Sequence, residues 1–95
     1  MEPTPVKNEL MHRFELSIDG SVAFLAYQEH KQGVLTFTHT YVPPALRGKN
    51  LAAILTRFAL EDARHHGKRV IPQCTYTAAY LERHKEYAQL VAAAI

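Results

Sequence analysis

The stretch Thr38-His39-Thr40-Tyr41-Val42-Pro43-Pro44-Ala45-Leu46-Arg47-Gly48-Lys49-Asn50-Leu51-Ala52 decides how this chain folds. An alternating run, residues 34–42, stops at Pro43 and Pro44, neither of which can donate to a sheet ladder. A short basic segment, Arg47-Gly48-Lys49-Asn50, follows. From Leu51 the apolar period changes from that of a strand to that of a helix. A strand that feeds a helix through such a loop leaves backbone N–H groups without intrahelical partners, and the helix start adds positive field. The place therefore suits a phosphate.

Upstream, residues 13–18 alternate, with Phe14, Leu16 and Ile18 on one face. Asp19-Gly20 is a strong two-residue hairpin signal. Residues 22–28 form the return strand, and the polar segment 29–33, ending in Gly33, makes a second turn. In the third strand, residues 34–42, strict alternation predicts Leu35, Phe37, His39 and Tyr41 on one face and Thr36, Thr38 and Thr40 on the other. Three strands joined by short turns make an antiparallel meander. Residues 1–8, with Pro3 and Pro5, read as the start of a flexible lead-in that extends to about residue 11.

Downstream, Leu51, Ile54, Leu55, Phe58 and Asp62 fall at helical spacing beside an alanine stripe, which lets the helix lie close to a sheet. Asn50 suits the N-cap and Gly67 the position just past the helix end. Residues 69–76 read as a fourth strand, parallel to the third through a right-handed crossover. Pro72 inside it predicts that the two strands pair at their N-terminal ends and then diverge, which opens a wedge for an extended ligand. Thr75 or Thr77 would cap a short helix over residues 78–84, and a last turn at 87–91 closes the chain before a frayed tail at 92–94. The fold class is α+β: a three-strand meander, then a β-α-β unit with splayed parallel strands and a short C-terminal helical segment, in a single domain spanning residues 1–95.

Composition narrows the function. Lys and Arg number 11 against 9 Asp and Glu, a net charge of +2 that is too balanced for a dedicated nucleic-acid binder. A single cysteine forbids an internal disulfide and fits a reducing compartment. No apolar run approaches the roughly 20 residues of a membrane span. The N-terminus lacks the pattern of a signal peptide, so the expected location is the cytoplasm. His65, His66 and His84 have no metal-site spacing, and no metal is expected.

With these blocks in place, the chain resembles the GNAT N-acetyltransferase superfamily over about residues 14–91. It is most similar to the small stand-alone proteins that contain little beyond the acetyl-CoA-binding core. The resemblance rests on Leu35-Thr36-Phe37-Thr38-His39-Thr40, Val42-Pro43-Pro44-Ala45-Leu46-Arg47-Gly48-Lys49, Val70-Ile71-Pro72-Gln73-Cys74-Thr75-Tyr76 and Arg83-His84, in order and spacing. It implies that Arg47, Gly48, Lys49, Asn50, Leu51 and Ala52 hold the pyrophosphate of acetyl-CoA, in the pattern R/Q-x-x-G-x-G/A. Asn50 stands where the family has Gly and, after Gly, is the residue best able to keep the loop's φ > 0. Lys85 stands where the subgroup has Pro. It further implies that backbone groups of Tyr41 and Val42 meet the pantetheine arm. Larger members carry helices between the first two strands, where this chain has only Asp19-Gly20; the acceptor side is therefore expected to be open and to suit an amine on a protein or peptide.

Three residues are candidates for chemistry. Cys74 lies near the wedge, where a thiol could take the acetyl group and pass it on, or line the acetyl pocket. His39, predicted beside Phe37 and Tyr41, could act as base in direct transfer to an amine. The resemblance makes Tyr80 a candidate proton donor to the leaving thiolate. The expected activity is acetyl-CoA-dependent N-acetyl transfer to an unidentified amine. A CoA- or acyl-CoA-binding module without turnover is the alternative.

Overall fold

The computed structural model describes residues 3–92. Its sheet runs in the order β1 (Val6–Asn8), β2 (Arg13–Ile18), β3 (Ser21–His30), β4 (Val34–Tyr41) and β5 (Arg69–Pro72). The first four strands are antiparallel, and β5 is parallel to β4. Helix α1 (Leu51–His65) makes the crossover between β4 and β5, and α2 (Thr75–Arg83) follows β5. The hairpin signal sets the register of the first pair: Ile18 faces Ser21 across Asp19 and Gly20, whose φ values are 50° and 82°.

One face of the sheet carries the core. Phe14, Leu16, Leu25, Leu35 and Phe37 lie buried against Leu51, Leu55 and Leu60 of α1. Ala59 and Ala63 are fully buried on the same helix, where a larger side chain would force the helix off the sheet. The helix stops as expected. Gly67 takes φ 65°, and the N–H groups of Gly67 and Lys68 bond to the carbonyls of Arg64 and Ala63 at 3.1 and 2.8 Å, a Schellman closure. No helix among the described residues is long and apolar enough to cross a membrane.

The structure corrects several expectations. The lead-in is not flexible throughout, because residues 6–8 form β1, paired to β2. Lys7 explains this. Its ammonium lies 3.1 Å from Asp62 of α1 and 5.8 Å from the ring centres of both Phe14 and Tyr27, which pins β1 across the helix–sheet seam. Strand β5 ends at Pro72 rather than at residue 76, and α2 begins at Thr75, so Cys74 and not a threonine stands at its N-cap. The tail expected at 92–94 lies outside the described residues except for Ala92, whose N–H bonds to the Val70 carbonyl at 2.9 Å.

The largest difference is in β4. Ala26 of β3 faces His39, but the next residue, Tyr27, faces Phe37, so Thr38 is an extra residue in the ladder. Beyond this bulge the alternation changes phase. Thr40 pairs with buried Leu25 and joins the core face. His39 and Tyr41 turn to the outer face, where both rings meet Phe24 at 6.0 and 5.7 Å between centres. His39 and Tyr41 therefore do not share a face with Phe37.

Tyr87 anchors the C-terminal turn to α1 by donating a 2.6 Å hydrogen bond to Glu61. Burial, then this bond and the charge of Glu61, push its phenol up to about 12. The raised value favours the neutral form in the folded chain. That stability is fully present below the ordinary phenol value and is lost as pH climbs through 10 toward about 12. Tyr87→Phe is expected to lower the urea midpoint at pH 7 by about 1 kcal/mol of stability. The gap between wild type and variant should close between pH 10 and 12, followed by circular dichroism.

Candidate functional site

Strands β4 and β5 pair from Val34↔Arg69 to Phe37↔Pro72 and no further. Pro72 has no N–H to offer, and it is the centre of a tight turn in which the Gln73 N–H bonds to the Ile71 carbonyl at 3.1 Å. The Cys74 N–H then reaches across to the Phe37 carbonyl at 2.8 Å and closes the apex of the fork. Past that point β4 runs on to Tyr41, bonded on its β3 side alone among the described residues.

Cys74 sits at the apex, half-buried, with its sulfur 3.4 Å from the Thr40 hydroxyl across the fork. Burial by itself pushes the thiol up. The Thr40 hydroxyl and the backbone N–H groups of Thr77 and Tyr76, in the first turn of α2, outweigh it, and the thiol lies below the ordinary cysteine value. The Thr77 hydroxyl is fully buried and makes no hydrogen bond among the described residues at rest. It too favours the charged sulfur, because a thiolate supplies the acceptor that it lacks.

The second part of the site is the loop after β4. Pro44–Leu46 form one 3₁₀ turn, after which Gly48 takes φ 83° and Asn50 φ 62°. The N–H groups of residues 48–53 donate to no acceptor among the described residues; the first amide of α1 with a helical partner is Ile54, bonded to the Asn50 carbonyl. All of residues 48–53 but Lys49 line an open depression of about 230 Å³, together with Val42, Arg47 and Tyr76 among others. Arg47, Gly48, Lys49 and Asn50 are all exposed. Asn50 keeps the left-handed conformation expected of it, but its side chain caps no helix N–H. The Val42 carbonyl, expected to meet a ligand, accepts a 3.0 Å hydrogen bond from Arg47 Nε, which braces the loop against the strand end.

A third feature had no counterpart in the sequence reading. Asn50, Ala53, Ile54 and Arg57 form one stripe along α1, and Tyr76, Tyr80, Arg83 and His84 form one along α2. The two stripes face each other across a groove of about 310 Å³ that shares Asn50, Ala53 and Tyr76 with the loop depression. The signal was present as i, i+4, i+7 spacing in both helices. It went unread because each stripe alone looks like an ordinary helix face.

The three candidates for chemistry are therefore apart. Cys74 is at the fork, on the Thr40 side of β4, and His39 is exposed on the opposite face. Tyr80 stands about 9 Å along the α2 axis from Cys74. It is buried in the groove wall, with its ring stacked on His84 at 3.9 Å. The cradle residues Arg47, Gly48, Lys49, Asn50, Leu51 and Ala52 are together, and the groove continues from them.

A sequence model described as GCN5-related N-acetyl-transferase matches residues 13–90. Among solved structures, the chain is similar to a GCN5-like protein from Staphylococcus aureus determined by NMR in solution. The TM-score is 0.73 and the identity 20%, with 96% of this chain and 89% of that one covered. At that identity the likeness speaks for the fold.

The left-handed loop residue yields a direct test. Asn50→Val places a β-branched side chain at φ 62° and is expected to lose about 1–2 kcal/mol of stability. Asn50→Gly should hold or raise the melting temperature. The Gly variant is expected to keep any thermal shift that inorganic pyrophosphate gives the wild type, and the Val variant to lose it.

Proposed function

The chain belongs to the GCN5-related N-acetyltransferase family, and from that premise we propose that it moves an acetyl group from acetyl-CoA to an amine by way of Cys74. Membership indicates acetyl transfer, and the family generally uses acetyl-CoA as co-substrate. The residues fit such a molecule. Unpaired amides at 48–53 suit the pyrophosphate, the open edge at the end of β4, at Tyr41 and just beyond it at Val42, suits the pantetheine arm, and that edge leads toward Cys74, where the thioester end would lie.

The observation that carries the Cys74 route is the place of its sulfur at the apex of the fork, 3.4 Å from the Thr40 hydroxyl and at the start of α2, where these neighbours lower the thiol. The Cys74 thiolate attacks the thioester carbonyl carbon. A new C–S bond forms, the bond to the CoA sulfur breaks, and CoA leaves as a thiolate that takes a proton from water. A neutral amine then attacks the acetyl-cysteine, forming the C–N bond and releasing the Cys74 thiolate, while the amine's extra proton passes to solvent. Thr40, Thr77 and the first amides of α2 favour the anionic sulfur at the start and end of the cycle. On this reading His39 is not the base of a direct transfer but lies on the face from which the acceptor approaches, and Tyr80 is part of the groove wall. The two-residue turn at Asp19-Gly20 leaves that outer face without an intervening helix, which suits an amine on a protein or peptide. A nucleophilic thiol works only where it stays reduced, so we place the protein in the cytoplasm.

Intact mass after incubation with acetyl-CoA tests the route. Wild type is expected to gain one acetyl group, and Cys74→Ala none. Cys74→Ala should also lose thiol release in the presence of lysine peptides, and His39→Ala should keep it. Thr40→Val should move the pH midpoint of Cys74 alkylation upward, because a bond that lowers the thiol is removed. Full turnover in Cys74→Ala would overturn the covalent route. Binding without turnover in wild type would leave the non-catalytic CoA-binding module.

A further inference from the structure

We propose that the groove between α1 and α2 recognises the 3′-phosphate on the ribose of CoA, with Arg57 and Arg83 as its ligands. This rests on the proposed binding of acetyl-CoA and adds a specificity determinant to it. The groove is continuous with the cradle, because Asn50, Ala53 and Tyr76 line both. From the last cradle amide, at Ala53, Arg57 lies about 6 Å further along the axis of α1. A molecule whose pyrophosphate occupies the cradle has one ribose between that group and its next phosphate, a step of similar size.

The chemistry of the groove matches that phosphate. No Asp or Glu among the described residues lines it, while an arginine lines each wall: Arg57 on α1 and Arg83 on α2. Each acts on a groove tyrosine: Arg57 opposes the upward push of burial on Tyr80, and Arg83 does the same for Tyr76. Arg83 has no ion-pair partner among the described residues. The acidic groups that do act on Tyr80 are Glu86 and Glu61. Glu61 is already bound by the Tyr87 hydroxyl and paired with Arg64 at 3.6 Å. Two guanidiniums converging from separate elements are the arrangement that a doubly charged phosphate monoester selects. The wall is also held in place. His84 Nδ1 donates to the Tyr80 carbonyl at 2.9 Å, and its ring stacks on the Tyr80 ring.

The experiment compares CoA with dephospho-CoA, which lacks only the 3′-phosphate, by calorimetry on the full chain. Wild type is expected to bind CoA about tenfold to a hundredfold more tightly. In Arg57→Gln/Arg83→Gln that preference should fall to within about twofold, with the affinity for dephospho-CoA unchanged. Arg83→Gln alone breaks no ion pair among the described residues and should halve the preference on a logarithmic scale, which keeps the test decisive if the double variant fails to fold. Arg64→Gln should retain the full preference. Equal affinity for the two ligands in wild type, or an undiminished preference in Arg83→Gln and the double variant, overturns the assignment and leaves the CoA reading standing. Failure of wild type to bind either ligand overturns both.

Discussion

Pro72 has no N–H to donate, and the rung on which it faces Phe37 is the last before the extra residue Thr38. Both strands of the parallel pair thus break at one level, each for its own reason. On β5 the missing donor and the tight turn at Gln73 lead the chain out of the ladder. On β4 the bulge adds twist and bends the strand, while its other edge stays bonded to β3. The fork depends on the coincidence of the two breaks. A bulge alone would leave β5 free to follow β4, and a proline alone would interrupt only one donor.

The fork is held open by what lies behind it. Phe37, Leu35 and Val70, at the closed end, are fully buried, and each such side chain contributes roughly 1.5–3 kcal/mol. Each ladder bond forgone beyond the apex is worth only about 1 kcal/mol net. The core under the paired rungs therefore outweighs the bonds lost past them. The same logic applies at the loop. The loop residues 48–50 are exposed, so their amides stay unpaired in water at little penalty, while α1 behind them is fixed by Leu51, Leu55 and the Schellman closure at Gly67.

Features governed by neighbours in sequence were legible. The Asp19-Gly20 turn, the end of α1 at Gly67, the left-handed Asn50 and the parting of the strands at Pro72 each follow from the backbone preference of one or two residues. Features governed by distant residues were not. The order of β1 depends on Lys7 finding Asp62 of α1, 55 positions away. The bulge left no trace in an unbroken Leu-Thr-Phe-Thr-His-Thr-Tyr alternation, because threonine is at home on either face of a sheet. Only the register against β3, with Leu25 opposite Thr40, reveals the change of phase and sends His39 away from Cys74. The loop and helix start at residues 47–52 were therefore readable as a local structure, whereas the relative placement of the candidates for chemistry was not.

That separation bears on how so short a chain could run a two-substrate reaction. Direct transfer requires thioester and amine to be held together, and the amine needs walls of its own. Here the hairpin from β2 to β3 turns in two residues, and nothing in it encloses an acceptor. A covalent relay relaxes the requirement. On the proposed route the first half-reaction needs only the cradle, the β4 edge and a thiol lowered by Thr40 and the first turn of α2. On that route the acetyl group would stay on the chain at the apex of the fork, and the acceptor would arrive later from the outer side. The devices this scheme uses are ends of regular structure: a helix start with unpaired amides, a strand that loses its partner, and a second helix whose first turn meets a sulfur. A chain of 95 residues supplies such ends without adding an element.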